Sequence, residues 1–161
     1  MTADQASPRV AVVYGSPVEA EAMAQAGAML TRFGVAYDEA TISPYRSPRA
    51  LADWAAQLES RGIEVVIAGG GLNASIAGTI AAQVTIPVIG VPLRGGAIGG
   101  LEALMTMAQM PAGVPVAVVG LGHAVNAAVL AVQILAVADP ALRVLLTTFK
   151  DDFERAAGPN L

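Results

Sequence analysis

The residues best suited to chemistry stand directly after short apolar runs that have the length of β-strands. Gly15 and Ser16 follow the run 10–14, and Ser16 precedes Pro17 and Glu19 at the spacing of a helix capping box. A hydroxyl beside the free N–H groups of a helix N-terminus suits a phosphate or a carboxylate. The alternative is that Ser16 and Glu19 only cap the helix.

The segment 43–48 places two hydroxyls, a phenol and a guanidinium in one loop. Ser43 and Tyr45 lie beside Arg46, which can donate two parallel hydrogen bonds to a phosphate or a carboxylate. A surface salt bridge would also account for Arg46, and Tyr45 would ordinarily be a packing aromatic. A phenol with an unperturbed pKa near 10 moves protons poorly at neutral pH. From the residues alone we predict an anion clamp here, and no base is evident.

Three consecutive glycines, Gly69 to Gly71, follow a third apolar run. They lack the Gly-Lys-Ser/Thr ending of a Walker loop, and a Rossmann fingerprint belongs after the first strand with a different spacing. Such glycines either make a tight turn or let a ligand approach the backbone closely. The sequence leaves both interpretations open.

Metal and thiol chemistry have little support in the sequence. His123 is the single histidine, so one chain cannot supply a multi-histidine metal centre, and we favour a structural role for it over a catalytic one. The chain has no cysteine, which excludes disulfides and thiolate nucleophiles. We therefore expect no cysteine or multi-histidine metal site within one chain.

Strands and helices are predicted to alternate along the chain. Apolar runs bounded by turn residues predict strands, and cap residues followed by helical apolar periodicity predict the helices between them. The predicted strands are 10–14, 35–42, 63–68, 87–91 and 114–120, and the predicted helices are 17–33, 48–61, 74–82, 99–109, 124–138 and 141–156. Helix 124–138 is apolar on nearly all faces, which predicts burial on all sides.

This alternation predicts an α/β protein with three layers, in which helices cover both faces of a doubly wound parallel sheet. We predict a flavodoxin-like sheet of five strands in the order 2-1-3-4-5. The direction of winding then reverses between the first and third strands, and ligands bind at the carboxyl ends beside that point. The loops at Gly15, Ser43 and Gly69 should therefore surround one crevice.

Composition limits the size and the partners of the protein. The length of 161 residues predicts one domain, which we place at 10–156, between a flexible N-terminus at 1–9 and a tail at 157–161. Apolar residues make up 55% and charged residues only 14%, against roughly 25% charged in ordinary globular proteins. Too few charges remain to cover a monomer, so we expect extensive burial between subunits.

The charge pattern also excludes classes of partner. A net charge of -4, with scattered basic residues, argues against nucleic acid as a partner. Two uncharged stretches, 65–93 and 103–138, are interrupted by glycines and prolines and so do not predict membrane spans. The N-terminal residues have no secretory signal pattern, and together with the missing cysteines this is compatible with a cytoplasmic location.

Several motifs between residues 10 and 138 together resemble the PurE family of purine synthesis, whose members are carboxyaminoimidazole ribonucleotide mutases or aminoimidazole ribonucleotide carboxylases. They are VAVVYGS at 10–16, the SPYRSP loop at 43–48, VIAGGG at 66–71, PVIGVP at 87–92, QMPAGVPVA at 109–117 and NAAVLAVQILA at 126–136.

The resemblance implies an octamer of flavodoxin-like subunits with pockets between neighbouring chains. It implies an aminoimidazole ribonucleotide as the small-molecule ligand and no metal or organic cofactor. Ser16 and Arg46 take the phosphate-binding positions. The other substrate-binding positions fall on Gly15, Glu19, Ser43, Gly70 and Gly71.

The differences from the family pattern lie at the reactive groups. Tyr45 occupies the place of the histidine that moves the ring proton, and Ser75 that of a second histidine. Glu19 replaces the ribose-binding aspartate, and Val18 replaces a loop serine. The chain is thus identified as a divergent member that lacks the family's active-site histidines, with Tyr45 and Ser75 as the candidate catalytic residues.

Three functions are compatible with this pattern. The first is carboxylation or decarboxylation of a related heterocyclic carboxylate or nucleotide in a specialised pathway, with Tyr45, Ser75 or His123 as proton donor. The second is the ordinary mutase reaction, with Tyr45 or a water in place of the histidine. The third is a non-catalytic paralogue that binds a ligand. We predict the first.

Overall fold

The computed structural model describes residues 7–157. Residues 1–6 and 158–161, which belong to the predicted flexible N-terminus and tail, lie outside the described residues. Arg9, the last residue of that predicted N-terminal segment, donates a hydrogen bond of 2.8 Å to Asp139 and also pairs with Glu64. These contacts connect the residue before the first strand to the residue before the third strand and to the turn before the last helix.

Five parallel strands form one sheet in the order β2-β1-β3-β4-β5, as predicted. Strands β1 and β3 are buried along their whole length because helices cover both of their faces. The sheet thus has its winding reversal between β1 and β3, where a ligand site is expected. The strands are β1 Val10–Tyr14, β2 Tyr37–Thr41, β3 Val65–Gly70, β4 Val88–Pro92 and β5 Ala117–Val118.

The last strand is shorter than predicted. Only Ala117 and Val118 pair with β4, whereas the apolar run predicted a strand over 114–120. Pro115 has no N–H to donate to a ladder, and Gly120 accepts from the N–H of His123 in the turn that leads to the next helix. The whole run has the composition of a strand, but only two of its residues pair with β4.

Helices cover both faces of the sheet. One core contains α1, α5 and α6, and the other contains α2, α3 and α4. The prediction that the helix beginning at Ala124 is buried on all sides is not met within one chain, because Asn126, Gln133 and Val137 are exposed. The helices are α1 Ala20–Arg32, α2 Pro48–Gln57, α3 Ser75–Ala81, α4 Leu101–Ala108, α5 Ala124–Leu135 and α6 Pro140–Ala157.

Candidate functional site

The loops after β1, β3 and β4 enclose a pocket of about 340 Å³ at the carboxyl edge of the sheet. This volume is at the lower end of the range for small-molecule sites. The pocket lies where the topology predicts a ligand, beside the reversal between β1 and β3. Its lining consists of Ser16, Val18, Glu19, Ala22, Gly71, Leu72, Asn73, Leu93, Arg94, Gly95 and Gly122.

Glu19 fastens two of these loops together. One carboxylate oxygen accepts hydrogen bonds from the N–H groups of Gly15, at 2.9 Å, and Ser16, at 3.0 Å. The other accepts from the N–H of Gly71 at 2.8 Å, across the reversal point. The side chain is only 8% exposed. The capping-box contact from Glu19 to Ser16 is therefore present, and the same carboxylate also joins the β1 loop to the β3 loop.

The protein's own packing leaves little room for side chains at the first two of the three glycines. A Cβ at Gly69 would lie 2.2 Å from the Met23 sulfur, and one at Gly70 would lie 2.8 Å from the backbone oxygen of Asn73. None of the three has a positive φ, so a left-handed turn does not explain them. Of the two predicted substrate-binding glycines here, Gly71 lines the pocket, whereas Gly70 packs behind it.

We expect Gly70→Ala to lower the free energy of unfolding by about 1–3 kcal/mol, because its methyl group would meet backbone that cannot rotate away. Gly95→Ala is the matched control in the neighbouring loop, since its Cβ would have no non-adjacent atom closer than 3.8 Å. That variant should stay within about 0.5 kcal/mol of the wild type. Denaturant unfolding of both variants tests this, and equal losses would contradict it.

The loop 43–48, which follows β2, lies outside the pocket lining. Ser43 is 8% exposed, and its hydroxyl accepts a hydrogen bond of 3.2 Å from the N–H of Arg46. Tyr45 is 64% exposed, and Arg46 is exposed as well. The topology brings this loop to the expected edge of the sheet, but none of its residues lines the 340 Å³ pocket of the single chain.

Two further predicted participants also lie outside the pocket lining. Ser75 is the first residue of α3, and its hydroxyl is buried without a hydrogen-bond partner among residues 7–157. His123 is exposed at the start of α5, with its ring against Gly120, and follows the pocket residue Gly122. The structure thus brings together Gly15, Ser16, Glu19 and Gly71 and leaves Tyr45 and Ser75 apart from them.

Arg94 is a pocket residue that our motif analysis did not single out. It lies directly after β4, and its side chain is exposed at the pocket. A signal was present in the sequence, because Arg94 and Glu102 are the only formally charged residues between Val65 and Ala138. A charge that interrupts such a long uncharged stretch just after a strand marks a position worth testing.

Glu102 shapes the glycine-rich loop that follows Arg94. Its carboxylate accepts hydrogen bonds from the N–H groups of Ile98, at 3.0 Å, and Gly100, at 3.1 Å. These backbone donors, that of Ile98 above all, lower the pKa of Glu102. Gly96, Gly99 and Gly100 have positive φ angles, which the loop needs to turn back onto the start of α4.

A tyrosine beside the pocket is unsuited to proton transfer at neutral pH. Tyr14 ends β1, and its hydroxyl donates a 2.6 Å hydrogen bond to Glu39 on β2. This bond to a carboxylate raises the pKa of Tyr14. The phenol therefore remains protonated, and its hydrogen bond connects β1 to β2.

No other region of residues 7–157 combines a cavity with the predicted site residues or with a cluster of metal-ligating side chains. A shallow depression of about 480 Å³ at the opposite end of the sheet lies beside Pro8, Gly34 and Tyr37 and contains none of the predicted site residues. Within residues 7–157, no three acidic or histidine side chains converge as metal ligands would. No helix in that same range has the length and apolar character needed to cross a membrane.

A doubly wound parallel sheet with a pocket at its winding reversal defines the class, a flavodoxin-like α/β protein. The particular family follows from the sequence. The chain belongs to the AIR carboxylase family, whose model matches residues 9–156. The predicted PurE membership is confirmed.

Two similar proteins match nearly the whole chain in sequence. An N5-carboxyaminoimidazole ribonucleotide mutase of Pyrococcus abyssi is 42% identical over 148 residues, which is 92% of this chain and 85% of that protein. One of Mycobacterium tuberculosis is 43% identical over 151 residues, 94% of this chain and 87% of that protein. A crystal structure of Treponema denticola PurE has a TM-score of 0.85 at 19% identity, covers 93% of this chain and 94% of that one, and confirms the fold.

Proposed function

We propose that this protein is an N5-carboxyaminoimidazole ribonucleotide mutase. The observation that carries the proposal is the 42–43% identity, over more than nine-tenths of the chain, to relatives of that name. The pocket at the winding reversal supports it, because the ligand site of such a sheet lies there. This is the second of the three functions that the sequence left open, and the comparisons favour it over the changed reaction that we predicted.

The reaction moves a carboxyl group within one molecule. The bond between the exocyclic nitrogen and the carboxyl carbon breaks, a bond from that carbon to the ring carbon forms, and the ring carbon loses its proton while the nitrogen regains one. In this proposal Ser16 and Arg46 hold the phosphate, and Gly15, Ser43, Gly70 and Gly71 shape the ribose and ring site. Glu19 holds the β1 and β3 loops together, and Tyr45 or a water that it orients transfers the proton. Ser75, the second catalytic candidate, lies outside the pocket lining of the single chain.

The proposal includes assembly of several copies, an octamer as in the resemblance. Tyr45 and Arg46 are exposed on the single chain and lie outside its pocket lining, so a neighbouring subunit is needed to bring them to a substrate. The low charge content and the exposed side chain of Val137, at 77%, are also consistent with buried contacts between copies. Sedimentation velocity should show a particle of eight chains, and a stable monomer would contradict this assembly.

A changed carboxylation or decarboxylation remains the second candidate, and one feature of the pocket favours it. Val18 and Leu72 stand at the pocket, 87% and 72% exposed. Val18 replaces a serine of the family pattern, so this wall offers apolar surface where a hydroxyl would contact a ribonucleotide. A substrate with a less polar substituent would match that wall better.

Purified protein incubated with N5-carboxyaminoimidazole ribonucleotide distinguishes the candidates. The mutase predicts the ring-carboxylated isomer as product, separated by chromatography, at a rate above the uncatalysed one. Binding of this substrate without turnover would favour the non-catalytic function. Loss of carbon dioxide from a different heterocyclic carboxylate, with no mutase turnover, would establish the second candidate instead.

A further inference from the structure

We infer that Arg94 binds an oxyanion of the substrate at the mouth of the pocket and so determines which ligands the site accepts. The inference rests on the proposed function for the identity of the ligand, a phosphorylated and carboxylated ribonucleotide. The motif resemblance assigns phosphate binding to Ser16 and Arg46 and gives no role to Arg94. Its position and its surroundings carry the argument.

The backbone of Arg94 is held in place by close packing. A Cβ at Gly71 would lie 3.3 Å from the carbonyl oxygen of Arg94, and one at Gly100 would lie 3.2 Å from the Arg94 Cα. Just before it, the N–H of Leu93 donates to the carbonyl of Gly70 at 3.0 Å. The Cα of Arg94 is therefore fixed at the edge of the pocket, and its exposed side chain is ordered on binding.

Arg94 has no competing partner within the described part of the chain. No ion pair or side-chain hydrogen bond of Arg94 occurs among residues 7–157. The arginines with a partner are Arg9, paired with Glu64 and Asp139, Arg61 with Asp38, Arg155 with Asp152, Arg143 on the carbonyls of Ala136 and Val137, and Arg32 over the ring of Phe149.

The charges of the pocket favour an anionic ligand at this position. Arg94 and Glu19 are the charged residues among those that line it. Both oxygens of the Glu19 carboxylate already accept backbone hydrogen bonds from Gly15, Ser16 and Gly71. Arg94 is therefore the cation of this pocket that can still form a strong interaction, and its planar fork matches a phosphate or a carboxylate through two parallel hydrogen bonds.

Binding of aminoimidazole ribonucleotide by wild-type protein, Arg94→Gln and Arg94→Lys tests the inference by titration calorimetry. If Arg94 holds the phosphate, loss of a charge-assisted contact predicts an affinity for aminoimidazole ribonucleotide about ten- to a hundredfold lower for Arg94→Gln. Arg94→Lys should recover part of it, because it keeps the charge but not the fork. The affinity of the wild type should also fall more steeply with salt than that of Arg94→Gln.

Two further ligands identify the oxyanion. If Arg94 holds the phosphate, the unphosphorylated nucleoside should bind wild type and Arg94→Gln equally. If it holds the carboxylate, the loss should appear only with the ring-carboxylated ribonucleotide. Either result supports the inference.

Arg155→Gln, on the exposed face of α6, is the matched control and should bind all three ligands like the wild type. Equal affinities of wild type and Arg94→Gln for every ligand would overturn the inference while leaving the proposed function intact. Failure of the wild type itself to bind any of them would overturn both. Thermal unfolding of each variant verifies that the exposed substitutions leave the fold unchanged.

Discussion

Tyr45→His should raise kcat for the mutase reaction by about a hundredfold or more. A positioned acid–base group contributes about 10² to 10⁴ in rate, and an imidazole transfers protons near neutral pH far better than a phenol. Tyr45 is 64% exposed, so the substitution replaces no core contact. Initial rates with N5-carboxyaminoimidazole ribonucleotide measure the effect.

The pH profile of Tyr45→His provides a second readout. If the imidazole removes the ring proton, it must be neutral beforehand, so the gain should grow as the pH rises through about 6.5. Tyr45→Phe should lower the rate if the phenol itself takes part, and should leave it unchanged if a water does. Phe153→His, 62% exposed on α6, is the control and should show no gain. An equal rate for Tyr45→His and wild type at every pH would show that this position does not limit the reaction.

Glu19→Ala should lower the free energy of unfolding by about 2–3 kcal/mol and weaken ligand binding. The substitution leaves the N–H groups of Gly15, Ser16 and Gly71 without their acceptor, and each buried donor left unpaired costs about 1–3 kcal/mol unless water reaches it. For a chain of this size that corresponds to a Tm lower by about 5–10 °C. The loops should then separate at the pocket, so the affinity for aminoimidazole ribonucleotide should fall as well.

Glu19→Gln separates charge from geometry. A glutamine has one acceptor oxygen, so its NH₂ group would face an N–H donor of either the β1 loop or the β3 loop. It should therefore destabilise the protein as well, and by less than Glu19→Ala. Glu21→Ala, on the exposed face of α1, is the control and should unfold like the wild type at the same protein concentration. If Glu19→Ala unfolds like Glu21→Ala, the carboxylate does not hold the loops together.

Local sequence signals predicted most elements well, because each has a local physical cause. Buried strands β1 and β3 are continuous β-branched or small apolar runs, and Ser47 followed by Pro48 marks the start of α2. The predicted ends of a strand were wrong where backbone pairing depends on a residue far away in the sequence. The run 114–120 has strand character, but Pro115 and the turn at Gly120 limit pairing with β4 to two residues.

The arrangement of the site could be predicted from the sequence less completely than the fold. The capping-box spacing of Ser16 and Glu19 predicted their mutual contact, but nothing local indicates that the same carboxylate reaches Gly71, which is 52 residues away. The glycine run left a turn and a close ligand approach equally open. The structure shows instead that Gly69 and Gly70 accommodate Met23 and the backbone of Asn73.

By itself, the sequence identified the family through its motifs and the α/β fold through its apolar periodicity, and it led us to predict the flavodoxin-like strand order that the structure has. Only the tertiary structure decided which polar residues share the pocket. It joined Glu19 to Gly71, placed Arg94 beside them, and left Tyr45 on the exposed surface of the single chain. The physical reason is that hydrogen bonds and close packing between loops depend on side-chain direction and backbone contact across the sheet, which the spacing of residues along one chain does not encode.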